Sequence, residues 1–95
     1  MTLKAILVDD EIAAIRSLQF LLENYCKDVE VVGTARSAGE GIELATKFNP
    51  DIIFLDIEMP AGSGFELLEQ LPGLDCQVIF VTAYTSNANT IFEGY

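Results

Sequence analysis

The chain alternates short apolar runs with longer amphipathic stretches. The apolar runs KAILVDD (4–10), VEVVGTA (29–35), DIIFLD (51–56) and QVIFVTA (77–83) are typical of strands, and the almost continuous third run favours burial on both faces. Apolar residues at helical spacing over residues 11–25 predict a first helix. The pattern therefore predicts strands that alternate with helices.

Local signals predict three further helices. Ser37 and Glu40 stand three residues apart and form a capping box at the start of the second helix. A short third helix is predicted over residues 65–71, and a fourth begins at Ser86 or Asn87. With the strands between them, these helices predict right-handed crossovers and an α/β, doubly wound parallel sheet that is covered on both faces.

The composition of the chain limits the classes of molecule that it can bind. The 95 residues suggest one domain, and the net charge of −10 with only five basic residues makes nucleic acid a poor direct partner. A cation or a basic protein surface fits better. The chain has no histidine, so its two cysteines, Cys26 and Cys76, match no usual zinc pattern and are interpreted as buried or half-buried free thiols.

The chain carries no sign of a membrane or export signal. No apolar run approaches the roughly 18 residues of a membrane span, and the N-terminal run leads directly into acidic residues without a cleavage site. The sequence therefore predicts a cytoplasmic protein that does not contact membranes.

Acidic residues follow the strands at one edge of the predicted sheet. The first strand ends at Asp9, Asp10 and Glu11, the third at Asp56, and the fourth at Thr82. Functional sites of such sheets lie beyond the carboxyl ends of the strands, where strand order reverses. Clustered carboxylates repel one another, and a hard divalent cation such as Mg²⁺ relieves that repulsion. The pattern therefore predicts a Mg²⁺ site beside Asp56.

Each member of this group also has a structural interpretation. The acids at residues 9–11 could cap the first helix, Asp56 could cap a loop, and a threonine such as Thr82 is common at strand ends. Glu58 could simply be solvated. The joint placement of acids after both strands that flank the predicted switch point favours the functional interpretation.

The motifs resemble those of a known family. ILVDDE (6–11), DIIFLDIEMP (51–60), Gly64 and VIFVTAY (78–84) are similar to the CheY-like receiver domain of two-component response regulators, in particular those that precede LytTR-type DNA-binding domains. The resemblance covers the whole chain. It implies a flavodoxin-like fold, in which the strand order is 2-1-3-4-5.

The resemblance implies a role for each acidic residue. Asp56 matches the aspartate that accepts a phosphoryl group and also contacts the metal. Asp9 and Asp10 match the pair that holds Mg²⁺ directly or through water. The backbone carbonyl of Glu58 matches the remaining protein ligand.

Residues after the fourth strand match the switch of the family. Thr82, with Ala83 beside it, matches the position that binds the phosphoryl group and moves on activation. Glu58 and Tyr84 match the variable positions that tune dephosphorylation.

The chain departs from the family at its C-terminal end. The family's fifth strand, the lysine at its end and the fifth helix would follow residue 95, so the sequence predicts a truncated receiver domain over residues 1–95 with strand order 2-1-3-4. The edge at Gln77–Thr82 would then be unpaired, which predicts a homodimer or an exchanged assembly. Arg36 stands at the correct edge of the sheet to replace the lysine, but it is interpreted as a solvated loop arginine.

The implied function is a signalling switch, not an enzyme. A sensor histidine kinase would phosphorylate Asp56 in the presence of Mg²⁺, and the phosphorylated domain would switch an output, with a DNA-binding domain suspected elsewhere in the protein. One alternative is an interaction module that works without phosphorylation. The other is a Mg²⁺-dependent phosphohydrolase with Asp56 as nucleophile, an interpretation that leaves Asp9 and Asp10 unexplained.

Overall fold

The computed structural model describes residues 2–56, 69 and 76–81, and the backbone of residues 82 and 90–93. Its helices and strands follow in the order β1 (Leu3–Val8), α1 (Ile12–Tyr25), β2 (Val29–Ala35), α2 (Ala38–Phe48), β3 (Ile52–Asp56), β4 (Gln77–Thr82) and β5 (Thr90–Glu93). The predicted third helix, residues 65–71, lies outside the described residues except for Glu69, which is helical.

The strands form one sheet in the order β2-β1-β3-β4-β5. The first four strands of that order are mutually parallel. The predicted α/β fold class and the order 2-1-3-4 are therefore confirmed. The chain moves from β1 outward to β2 and then crosses back to β3, so the direction of winding reverses between β1 and β3.

The outer edge of β4 differs from the prediction. Residues 90–93 form a strand that pairs antiparallel with β4, from Ile79 opposite Glu93 to Thr82 opposite Thr90. The prediction of a helix continuing through these residues is wrong, and so is that of an unpaired β4 edge. Two physical reasons favour the strand: β-branched and aromatic residues predominate in TIFE, and an open sheet edge offers backbone groups that a strand can satisfy.

The second helix begins and ends as its local sequence dictates. Ser37 is the N-cap, and its hydroxyl oxygen accepts a hydrogen bond from the Glu40 N–H at 3.2 Å. The Glu40 carboxylate in turn accepts one at 2.7 Å from the N–H of Arg36, the residue before the N-cap. The predicted capping box is thus formed on its Ser37 side, while the reciprocal hydrogen bond of Glu40 goes to the residue before the N-cap and not to the N-cap N–H. The helix ends at Asn49, whose left-handed conformation (φ 51°) closes the last turn.

Hydrophobic residues fill both faces of the sheet. Ala5 and Leu7 of β1 pack with α1 residues Ile15 and Leu22 on one face. On the other face, the alternate β1 residues pack against α2, in a cluster of Ile6, Val8, Ala35, Ala38, Ala45, Ile53, Leu55 and Val78. This alternation is the period-two pattern of a strand buried on both sides. No helix in the described part of the chain is long and apolar enough to cross a bilayer.

Candidate functional site

The register of the sheet brings the predicted acids together. Val8 of β1 lies opposite Leu55 of β3, so the residues that follow them, Asp9 and Asp56, reach the same level at the carboxyl edge. Carboxylate oxygens of Asp9, Asp10 and Asp56 all lie within 4.8 Å of one another. The three residues form the acidic cluster that the sequence predicts.

Asp56 is the most buried member of this acidic cluster, with 9% of its surface exposed. Ile52 and Phe54, four and two residues before it, pack on the α1 face of the sheet, so strand alternation directs Asp56 to that face as well. Buried Leu55 packs on the opposite face. The strand thus holds the Asp56 carboxylate at a fixed position beside the core.

Asp9 is held by two main-chain contacts. Its N–H donates to the Ala35 carbonyl at 3.0 Å, which extends the β1–β2 pairing by one residue. Its Oδ1 accepts a hydrogen bond from the Glu11 N–H at 2.9 Å. Glu11 is the N-cap of α1, but its side chain makes no capping hydrogen bond. Glu11 therefore does not cap the helix through its side chain, and the first turn of α1 carries no acidic residue.

The electrostatics of Asp9 reflect its burial first and crowding by like charges second. Together these effects raise the pKa of Asp9 from its ordinary 3.8 to about 6: burial raises it most, the Glu11 hydrogen bond lowers it, and the neighbouring Asp56 and Asp10 raise it. Hydrogen bonding between the Asp9 and Asp56 carboxyl groups acts in the same upward direction. Without a cation, the Asp9 carboxyl group therefore takes up a proton near pH 6, well above the pH at which an ordinary aspartate does so.

A cavity of about 320 Å³ opens beside the acidic cluster on the α1 face. Asp9, Glu11 and Asp56 line one part of it, and apolar side chains such as Leu21 and Phe54 line the rest. The Asp56 carboxylate therefore borders open space large enough for a hydrated ion and a small reactant.

Arg36 makes a contact that the sequence interpretation missed. Its side chain is exposed, as predicted, but its Nη2 donates a hydrogen bond to the main-chain carbonyl of Asp10 at 3.2 Å. The interpretation as a solvated loop arginine therefore agrees with the exposure of Arg36 but omits this hydrogen bond. The signal that could have found this contact is topological: β2 lies next to β1, so the residue after β2 stands beside the loop after β1.

The remaining predicted site residues lie at or beyond the limit of the described chain. Val81 is opposite Asp56 in the β3–β4 register, so the backbone of Thr82 is one residue further along the same edge. Glu58, Ala83 and Tyr84 lie outside the described residues.

Comparisons with known proteins place this arrangement in a family. A family model described as the response regulator receiver domain matches residues 5–93. An uncharacterized response regulatory protein of Vibrio cholerae is 45% identical over 92 residues, which are 96% of this chain and 38% of that protein. The sensory transduction protein LytT of Bacillus anthracis is 39% identical over 93 residues, 96% of this chain and 37% of that protein.

Two further comparisons agree with these. The transcriptional regulatory protein BtsR of Escherichia coli is 39% identical over 94 residues, which are 98% of this chain and 39% of that protein. The crystal structure of the response regulator domain of Thermotoga maritima CheB superposes with a TM-score of 0.78 at 30% identity, covering 93% of this chain and 66% of that one. The chain thus spans between 37% and 39% of the length of these curated relatives.

Proposed function

We propose, because this chain belongs to the family of response regulator receiver domains, that Asp56 accepts a phosphoryl group from the phosphohistidine of a sensor histidine kinase. The observation that carries this proposal is the acidic cluster itself. A carboxylate with 9% exposure stands at the end of a buried strand, beside two further carboxylates and an open cavity. A purely structural role for Asp56 explains neither the crowding nor the cavity.

Mg²⁺ is the cation that the acidic cluster fits best. Asp9, Asp10 and Asp56 offer oxygen ligands within 4.8 Å of one another, and Mg²⁺ prefers oxygen ligands while keeping several waters. The pKa of Asp9 is raised first by burial and also by repulsion from Asp56 and Asp10, and a bound cation would relieve that repulsion. In the family the backbone carbonyl of Glu58 completes the protein ligands, and we extend that role to this chain.

The proposed reaction is an in-line transfer. An oxygen of the Asp56 carboxylate attacks the phosphorus of phosphohistidine, the bond from phosphorus to the imidazole nitrogen breaks, and an acyl phosphate forms on Asp56. When bound, Mg²⁺ supplies charge neutralisation for the phosphoryl oxygens. The protein's contribution is position: β3 fixes the nucleophile, and the loop after β1 fixes Asp9 and Asp10 beside it.

The switch is proposed from the family's pattern. The hydroxyl of Thr82, with Ala83 next to it, would bind the phosphoryl group, and Glu58 and Tyr84 would tune its hydrolysis. The position of the Thr82 backbone, one residue beyond the partner of Asp56, is consistent with this role. A contact of this kind can bias a two-state element and so transmit phosphorylation to another surface.

The proposal also covers the whole protein, of which this chain is the receiver domain. Residues 1–95 act as the receiver domain, and relatives such as the transcriptional regulatory protein BtsR favour an output that controls transcription. The output would then be DNA-binding, and the receiver domain itself would not contact nucleic acid, because its net charge is −10.

The test is phosphorylation by acetyl phosphate with Mg²⁺, followed by intact-mass measurement. We expect one phosphoryl group per chain, sensitive to hydroxylamine as an acyl phosphate is, and none in an Asp56→Asn variant. Asp51→Asn, at the other end of β3, is the matched control and should label normally. Undiminished labelling of Asp56→Asn would refute the assignment, and continuous release of phosphate from many substrates would favour a phosphohydrolase.

A further inference from the structure

One peptide bond in the acidic loop is held from both sides. The carbonyl of Asp10 accepts a hydrogen bond from Arg36 Nη2 at 3.2 Å. The N–H of Glu11, which belongs to the same peptide bond, donates to Asp9 Oδ1 at 2.9 Å. A peptide bond is planar and nearly always trans, so its carbonyl and N–H move as one rigid unit. The guanidinium of Arg36 and the carboxylate of Asp9 are therefore connected through one rigid unit, the Asp10–Glu11 peptide.

Backbone hydrogen bonds hold Arg36 in place, so its side chain can fix the position of the peptide that it contacts. Its own N–H donates to the carboxylate of Glu40, in the first turn of α2, at 2.7 Å. The residue before it, Ala35, accepts the Asp9 N–H at 3.0 Å. The backbone of Arg36 is thus tied both to α2 and to the loop that its side chain reaches.

The choice of acceptor is informative. The loop carries the carboxylates of Asp9 and Asp10, yet the guanidinium donates its hydrogen bond to a main-chain carbonyl. A guanidinium paired with either carboxylate would neutralise a cation ligand, whereas a guanidinium on the carbonyl leaves the ligand charge in place. It also polarises the peptide and strengthens the hydrogen bond that the Glu11 N–H donates to Asp9.

We propose that Arg36 is a positioning residue for the cation site: it fixes the Asp10–Glu11 peptide, whose N–H orients the carboxylate of Asp9. The role of that carboxylate as a Mg²⁺ ligand rests on the function proposed above. Arg36 touches neither the cation nor the phosphoryl group and acts through Asp9 alone.

Positioning and charge have different consequences for cation binding. Removing a nearby positive charge strengthens the binding of every divalent cation by a similar factor. Loss of ligand orientation affects Mg²⁺ more than Ca²⁺, because Mg²⁺ demands near-ideal octahedral geometry and Ca²⁺ tolerates irregular coordination. The ratio of the Mg²⁺ and Ca²⁺ dissociation constants therefore isolates the positioning effect from the charge effect.

The experiment compares three variants of the complete protein by calorimetric titration with each cation and by amide hydrogen exchange. Arg36→Gln removes the charge and the hydrogen bond to the Asp10 carbonyl. Arg36→Lys keeps the positive charge but lacks the planar guanidinium. Arg16→Gln is the control, because it removes a positive charge from the exposed side of α1. We expect Arg36→Gln to lose about threefold in preference for Mg²⁺, the scale of one modest hydrogen bond. The Glu11 amide should exchange faster by a similar factor, Arg36→Lys should be intermediate, and Arg16→Gln should match the natural protein.

Each result decides the proposal. The proposal is overturned if folded Arg36→Gln keeps the natural ratio of the Mg²⁺ and Ca²⁺ dissociation constants, or keeps the natural exchange rate of the Glu11 amide. If Arg36→Gln does not fold, the same two measurements on Arg36→Lys decide. If the natural protein binds neither cation, the proposed metal site fails. The Glu11 exchange rate, measured without any metal, then still decides whether Arg36 positions the peptide.

Discussion

Two aspartates lie at opposite ends of β3 and serve opposite purposes. Asp51, before the strand, is exposed, and its Oδ2 accepts the Lys4 N–H at 2.8 Å. Its own N–H donates to the Lys4 carbonyl at 2.8 Å, and its carbonyl accepts the Gln77 N–H at 2.9 Å. Asp56, the last residue of the strand, is 9% exposed and lies against Asp9 and Asp10.

The difference lies in what surrounds each carboxylate. At the amino edge, the charge of Asp51 remains in water while its oxygen satisfies a backbone donor of the neighbouring strand, so the residue joins the starts of β1, β3 and β4. At the carboxyl edge, the charge of Asp56 is buried among like charges, which costs stability. The same residue type therefore satisfies backbone groups of the sheet at one end and is the proposed phosphoryl acceptor at the other.

The largest expected effect concerns the cation. An Asp9→Asn, Asp10→Asn double variant should bind Mg²⁺ about tenfold more weakly or worse, because affinity for a hard cation depends on the charge of its ligands. Calorimetric titration measures this, with Asp51→Asn as the control that removes a carboxylate from the other edge. Equal Mg²⁺ affinity in the double variant and the natural protein would place the cation elsewhere.

The next effect concerns stability without metal. Asp56→Asn should raise the free energy of unfolding by about 1 kcal/mol, the scale of repulsion between two charges about 4 Å apart in watery surroundings. Urea denaturation in the presence of a chelator measures it. Added Mg²⁺ should stabilise the natural protein more than the variant, since a ligand that binds the folded state shifts its stability. A clear loss of stability in the variant would contradict the repulsion argument.

The opposite change is expected at the amino edge. Asp51→Ala should lower the free energy of unfolding by about 1 kcal/mol, because the Lys4 N–H loses its acceptor. Mg²⁺ affinity and labelling by acetyl phosphate should stay as in the natural protein. A variant that keeps full stability, or that loses Mg²⁺ binding, would remove the contrast between the two ends of β3.

The smallest effect is a pH dependence. The pKa of Asp9 is raised in the folded chain to about 6 from 3.8, so the folded state takes up a proton more readily than the unfolded state. Protonation of Asp9 should therefore favour the metal-free fold as the pH falls from about 7 towards 4, and that contribution is lost as the pH rises through 6. It should be smaller than either substitution, because Asp9 is partly exposed and solvent screens it.

In the presence of a chelator, Asp9 should therefore contribute slightly more to the free energy of unfolding at pH 5 than at pH 7. The Asp9→Asn variant should lack this difference. With Mg²⁺ present, lowering the pH should instead destabilise the protein, because protons compete with the cation for the carboxylates. The affinity for Mg²⁺ therefore decreases as the pH decreases. Stability of the metal-free protein that rises on passing from pH 5 to 7 would contradict the assignment to Asp9.

Local chemistry was enough to predict several features of the chain. Ser37 caps α2 through the Glu40 N–H as the spacing of the two residues requires, and the Glu40 carboxylate binds the Arg36 N–H just before the cap, since both hydrogen bonds are local. The acidic cluster also follows from sequence, because parallel strands end at one edge and the acids follow the strand ends directly.

Contacts between distant residues required the tertiary structure. The tail at Thr90–Glu93 became a strand because the edge of β4 was open to it, and no local signal within the tail records that edge. Arg36 and Asp10 are 26 residues apart, and their contact exists only because β2 lies beside β1. The sequence by itself determined which residues carry charge and where strands end. The tertiary structure decided which of them meet, because pairing across the sheet depends on register and strand order and not on neighbours along the chain.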